Sequence, residues 1–228
     1  GKSAYIVLDD ADLGAACAAA AAGVAMHAGQ GCAFTTRLLV PRDRYDEAVA
    51  AASAAMAGIG FGDPTDPATV CGPLISARQR DRVQGYLRLA LAEGGRFGCG
   101  GGRPADRSSG FYIEPTVIGG LTNDARVARE EIFGPVLVVL AHDGDADAVR
   151  IANDSPYGLS GAVAGADPDR VDRVASRLRT GTINVNGGVW YSADVPFGGY
   201  KQSGVGREMG LVGFEEYLQT KVIATGTG

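Results

Sequence analysis

The chain has 228 residues, enough for one sizeable core or a domain with an appendage. Apolar residues make up 46% and charged residues 21%, an ordinary globular composition, and a net charge of −5 with no Lys/Arg cluster argues against a nucleic-acid surface. Four cysteines at 17, 32, 71 and 99 lack the spacing of a disulfide framework, and with two histidines and no Cys-x-x-Cys pair no metal site is expected.

Gly1-Lys2-Ser3 resembles the close of a phosphate-binding loop, but strand-like "YIVL" (5–8) follows where that motif needs a helix. Asp9 to Asp12 supply carboxylates at the start of a helix that runs to about His27, where "AGQG" stops it. The uncharged run Leu13 to Thr36 is mostly alanine, broken by Gly29, Gln30 and Gly31, and is too weakly apolar to cross a bilayer. No signal peptide is visible, so a cytoplasmic protein without membrane contact is expected. "RLLV" (37–40) predicts a strand, followed by a helix from about Asp43 to Ala57 and a Gly/Pro-rich loop over 58–67.

A long helix from about Ser76 to Glu93 leads into the glycine cluster "GCGGGRP" (98–104). "FYIEPTVI" (111–118) and "PVLVVL" (135–140) predict central strands, and helices at about 145–153 and 168–178 flank the strand "GAVAG" (161–165). "TINV" (182–185) precedes a long loop, a helix from about Arg207 and a last strand, "KVIAT" (221–225). This alternation predicts an α/β, three-layer αβα domain. No Gly-x-Gly-x-x-Gly is present; the nearest stretch, "GVGREMG" (204–210), has its last glycine one residue late and follows no strand.

"HAGQGCAF" (27–34) places Cys32 between Gly31 and Ala33. Small neighbours leave the sulfur approachable and the Cys32 amide free to donate to a developing oxyanion. Taken alone, a packed structural cysteine is the simpler reading and a nucleophile the alternative. "EEIFGP" (130–135) reads either as a helix end with apolar packing or as a carboxylate that accepts two ribose hydroxyls beside an aromatic ring. "PFGGYKQSGVGRE" (196–208) is too rich in glycine to be filler for a core.

Together with "GGR-x-x-D" (101–106), "EPTV" (114–117) and "NDSPYGLSGAV" (153–163), these motifs give the whole chain a resemblance to about the C-terminal half of the NAD(P)-dependent aldehyde dehydrogenases. The resemblance implies the αβα catalytic domain of that family over 1–200, and a C-terminal helix and oligomerisation strand over 201–228. It makes Cys32 the thiol that attacks the aldehyde. Glu131 becomes the carboxylate on the nicotinamide ribose, and Phe133 the ring beside the nicotinamide. Asn186 falls at the inner end of the substrate tunnel, and Val189, Trp190 and Tyr191 on its lining loop; Gly198 and Gly199 belong to the loop that closes behind it. His27 stands where the family commonly has asparagine and is not read as a base.

The implied partners are a small-molecule aldehyde, NAD or NADP, and further copies of the chain in a dimer or tetramer. The resemblance also implies what the chain lacks: the Rossmann-type cofactor domain, an oxyanion-stabilising asparagine, and a water-activating glutamate just upstream of Gly1. The expected function is oxidation of an aldehyde to a carboxylic acid by a longer enzyme, with this chain inactive alone. A CoA-acylating semialdehyde dehydrogenase and a non-catalytic interaction protein that kept the fold are the alternatives; a cysteine hydrolase is the weakest, with His27 and His142 its only histidines.

Overall fold

A computed structural model describes residues 1–107, 109–188 and 191–226. Strand β1 (Ser3–Val7) has five consecutive buried residues, so both faces of its sheet are covered. Helix α1 (Leu13–Ala25) starts where the Asp12 carboxylate accepts the Ala15 amide at 3.0 Å, one of four orphan donors at a helix start. β2 (Thr35–Pro41) pairs parallel to β1, and α2 (Tyr45–Ala57) packs on α1. The alanines explain that packing: Ala16, Ala20, Ala48 and Ala52 are buried and let the two helices approach, and the Cys17 thiol reaches the Ala48 carbonyl. Strand β2 contributes Leu38, Leu39 and Val40, each fully buried and each stabilising by about 1.5–3 kcal/mol.

Ser76 caps α3 (Ala77–Ala92), accepting the Gln79 amide. Then come β3 (Arg96–Cys99), β4 (Thr116–Gly119), the short α4 (Arg126–Arg129), β5 (Val136–His142) and α5 (Asp145–Asn153). A two-residue β6 (Tyr157–Gly158), β7 (Ser160–Ala164), α6 (Pro168–Ala175), β8 (Thr182–Val185), β9 (Tyr200–Lys201) and α7 (Gly210–Glu215) complete the fold. The main sheet runs β3-β4-β5-β2-β1-β7-β8, parallel except for β3. Helices α1 and α2 cover one side, and α5 and α6, in contact with each other, pack on β1, β5, β7 and β8. The αβα architecture is the one expected. Among the described residues no helix is long and apolar enough to cross a membrane.

Several expectations are corrected. Strand β3 lies within residues read as a helix exit and glycine cluster. The strand predicted over 111–118 shrinks to β4, because Pro115 has no amide to donate and the Glu114 amide turns to the Gly102 carbonyl. The last helix begins at Gly210, three residues later than predicted, because the Glu208 amide and carbonyl both pair with Phe197. "KVIAT" forms no strand: residues 221–225 have no hydrogen-bonded neighbour among the described residues, and a strand exists only through its ladder. The boundary expected between 200 and 201 falls inside β9, which pairs with β6. Lys201 Nζ also donates to the carbonyls of Asn153 at 2.8 Å and Ser155 at 3.0 Å, tying this segment to the α/β body.

The buried Arg37 on β2 is a second organising feature. Its guanidinium donates to the carbonyls of Lys2, Ile151 and Ala152 and to Asn123 Oδ1 at 2.7–3.0 Å. Two of those carbonyls belong to the last turn of α5, where unpaired acceptors and the helix dipole both favour a cation.

Candidate active site

Helix α1 ends in a run of left-handed residues: His27 (φ 47), Ala28 (φ 52) and Gly29 (φ 70). Such a backbone is strained for the first two and persists only where packing over-determines it. The packing is explicit. A Cβ at Gly29 would overlap the Gly134 carbonyl and Pro135, so the loop before Cys32 seats directly on the turn of "EEIFGP". Gly31 leaves the space that the Phe34 ring fills, and that ring stacks with His27 at a 6.4 Å centroid distance. Gln30 fixes the loop from within, donating to the His27 carbonyl and accepting the Ile75 amide at 3.0 Å.

Cys32 follows in a tight turn, with the Phe34 amide reaching the Gly31 carbonyl. It is the exposed thiol of the four, all of which are free; Cys17 and Cys71 are buried and Cys99 is intermediate. Burial pushes the Cys17 thiol up to about 11 and the Cys71 thiol up to about 12, so neither supplies thiolate near neutral pH. The packed-cysteine reading therefore fails for Cys32 and holds for those two. Among the described residues the Cys32 amide has no intramolecular acceptor, which leaves its N–H free to donate.

The seated turn carries Glu131 and Phe133. Phe133 is left-handed (φ 60), and α3 holds the turn from outside. Gln79 Nε2 donates to the carbonyls of Ile132 at 3.2 Å and Phe133 at 2.7 Å, and Arg82 donates to the Glu131 carbonyl. Gln79 was invisible as a motif, since a lone glutamine in a polar helix has no distinguishing neighbours. The half-exposed Glu131 carboxylate lies beside Gly1, and Gly1 also packs against the Cys32 carbonyl. Cys32, Glu131 and Phe133 thus gather at the amino ends of β2 and β5.

A cleft of about 730 Å³ opens from Cys32. Tyr5, Met26, Phe34, Asn184, Tyr191 and Phe197 are among its lining residues. Asn186 is not among them. It is left-handed (φ 48), and its amide is spent on Gly165, accepting the N–H and donating to the carbonyl, both at 3.0 Å. The turn rotates Asn186 away, so Asn184, two residues earlier on β8, occupies the cleft wall. Tyr191 lines the cleft, whereas Val189 and Trp190 lie outside the described residues. Gly198 and Gly199 are required by close approach to Gly206 and Arg207, and to Ser203.

The histidines take no part in a hydrolase site. His142 ends β5, roughly 20 Å along the strand from the cysteine end. Its Nδ1 accepts the Gly144 amide and its Nε2 lies 3.0 Å from the Val7 carbonyl, the bonding of a neutral ring. His27 is held by its stack on Phe34.

The sequence profile of the aldehyde dehydrogenase family matches residues 1–223. The chain belongs to the aldehyde dehydrogenase family. Its relatives include geranial dehydrogenase of Castellaniella defragrans, 45% identical over 98% of this chain and 46% of the relative. A 3-succinoylsemialdehyde-pyridine dehydrogenase of a Pseudomonas species is 44% identical over 98% of this chain and 47% of its own length. An aldehyde dehydrogenase of Mycobacterium tuberculosis, solved with NAD+, superposes with a TM-score of 0.93 at 47% identity, over 96% of this chain and 45% of that one. A cysteine-to-alanine variant of aldehyde dehydrogenase C from Pseudomonas syringae, solved with NAD+ and octanal, gives a TM-score of 0.94 at 44% identity, over 97% and 46%. The chain spans about half the length of the relatives it matches.

Proposed function

We propose that these residues form the thiol-bearing half of an enzyme that oxidises an aldehyde to a carboxylic acid with a nicotinamide dinucleotide. The observation that carries the reading is the seating of the Cys32 loop on the Glu131–Phe133 turn through Gly29 and Gly134. Two otherwise separate motifs become one rigid surface.

The residues present fit one end of a dinucleotide. Glu131 offers a partly exposed carboxylate that accepts two hydrogen bonds from a vicinal diol, and Phe133 a ring fixed by the turn beneath it. NAD or NADP supplies the hydride acceptor when bound. Complexes of two relatives with NAD+ support this assignment. No glycine-rich phosphate loop follows a strand in this chain, so the rest of the dinucleotide needs a crevice other than this surface.

In the proposed reaction Cys32 Sγ adds to the carbonyl carbon of an aldehyde lying in the cleft. The Cys32 amide donates to the oxygen as it gains charge. Loss of hydride from the same carbon leaves an acyl thioester on Cys32. Water activated by a glutamate outside these residues then releases the acid. The largely apolar walls from Tyr5, Met26, Phe34, Tyr191 and Phe197 suit an apolar aldehyde, in keeping with the octanal bound by the Pseudomonas syringae relative. We further propose that the parent protein is a cytoplasmic homo-oligomer, a reading supported by four free thiols and by the exposed apolar tail over 211–223.

The 228-residue chain tested alone is expected to be alkylated at Cys32 yet to form no NADH or NADPH with any aldehyde. One carboxylate–ribose contact does not offset the several kcal/mol of freedom lost on binding. Tight NAD+ binding by calorimetry, or steady turnover by the pure chain, would contradict this reading.

A further inference from the structure

Behind the Cys32 loop, on the α5 side of β1, lies a small cavity unrelated to the cleft, its largely apolar wall broken by two cationic side chains. Its lining includes Lys2, Ser3, Arg37, Tyr157, Ser160 and Thr180, and its volume is about 10 Å³, room for one small body. Lys2 is 1% exposed, and its Nζ has no hydrogen-bond partner among the described residues. A buried ammonium without a partner is costly, because nothing replaces the water it has lost.

The neighbourhood deepens the imbalance. Arg37, 1% exposed, is the other cation on the wall, and no aspartate or glutamate lines the cavity. Four of the five guanidinium N–H groups are spent on Lys2, Asn123, Ile151 and Ala152, all uncharged acceptors. The nearby Asp154 is engaged elsewhere, in a bidentate pair with Arg129 at 2.7 and 3.0 Å and with Asn123 Nδ2 at 3.0 Å. Burial pulls Lys2 down to about 7, and the Arg37 charge adds to the fall. A single water in the cavity accepts a hydrogen bond but brings no charge to set against the Lys2 ammonium. A single monovalent anion accepts the same hydrogen bond and also offsets that charge, while Arg37 already feels the Asp154 carboxylate.

We propose that this cavity is a binding site for one small monovalent anion of the halide class, held by the Lys2 ammonium and the remaining Arg37 N–H. The anion sits one hydrogen bond behind the nucleophile loop. Ser160 Oγ lies 3.0 Å from Ser3 Oγ and donates to the carbonyl of Ala33, the residue after Cys32. An occupied site therefore braces β1 and β7 against the loop from behind.

The test is thermal unfolding of the protein at fixed ionic strength in sodium chloride, sodium bromide and sodium gluconate, whose anion is far too large for the cavity. The halides are expected to raise Tm by roughly 2–5 °C over gluconate. In Lys2→Met, which keeps the reach and removes the charge, that difference is expected to vanish. Crystals of the unsubstituted protein grown with bromide are expected to show an anomalous peak at hydrogen-bonding distance from Lys2 Nζ, a readout independent of how the variant folds. Equal Tm values in the three salts, a halide effect that survives Lys2→Met, or a water at the peak position would overturn the proposal.

Discussion

The loop over 27–34 and the tail over 211–226 are both irregular, and they stand at opposite extremes of constraint. In the loop, three consecutive residues are left-handed, a glycine packs against a neighbouring backbone, and a glutamine is bonded at both ends. In the tail, Leu211, Phe214, Tyr217, Val222 and Ile223 are 61–86% exposed, and past Leu218 no backbone hydrogen bond forms among the described residues. Strain held in place by packing marks a site whose geometry is already set. Apolar side chains left in water offer a surface on which a partner could dock.

The contrast predicts where substitutions hurt. Gly29→Ala introduces a methyl group at φ 70 that overlaps the Gly134 carbonyl, and it should destabilise the fold by roughly 3–4 kcal/mol in urea unfolding. A loss below about 1 kcal/mol, close to that of an unstrained glycine, would show that the loop does not seat on the turn. Gln79→Ala removes the two Gln79 hydrogen bonds to the turn, leaving those from Arg82, and should cost about 1–2 kcal/mol. In the parent enzyme it should also raise KM for the dinucleotide more than it lowers kcat, because the turn positions Glu131 and Phe133. An unchanged KM would separate the turn from the cofactor.

The buried thiols sharpen the comparison through pH. Cys17 and Cys71 have folded values of about 11 and about 12, above the 9.0 of a solvent-exposed thiol, so folding favours their protonated forms. Their contribution is complete below pH 9 and is lost as pH rises towards 11 and 12. Stability measured from pH 8 to 11 should therefore decline less steeply in the Cys17→Ala and Cys71→Ala variants than in the unsubstituted protein. The smallest effect belongs to the tail. Deleting residues from Lys221 onward should leave the unfolding free energy of the α/β body within about 0.5 kcal/mol. It should still shift the parent oligomer towards smaller species on light scattering, and an unchanged mass distribution would remove the tail from assembly.

The legibility of these features in the sequence follows the same divide. Runs such as "LLV" (38–40) and "PVLVVL" announced strands because every residue is apolar, and Asp12 and Ser76 marked helix starts because their oxygens cap. Strand β3 was hidden because Gly98 and Gly100 to Gly102 read as a loop, although Gly98 is there to pass close to Ser53. Cys32 and Glu131 stood out through motif context. Asn186 was placed in the tunnel by the resemblance alone, which carries no backbone angle; its left-handed conformation turns its amide to Gly165 and leaves Asn184 on the cleft wall. Gln79 and Lys2 matter only through groups distant in sequence, and no local pattern reports such contacts.

The central claim is that Cys32 is the nucleophile. Its direct measurement is peptide mapping by mass spectrometry after brief exposure of the native protein at neutral pH to an aldehyde-mimicking electrophile. The parent enzyme carrying Cys32→Ala is assayed in parallel. Cys17 and Cys71 are buried with raised values, and Cys99 is likewise raised by burial, so each should remain unlabelled. The account predicts a single adduct, on Cys32, with loss of aldehyde oxidation and unchanged folding in the alanine variant. Labelling that favours another cysteine, or an alanine variant that still oxidises aldehyde, would contradict it.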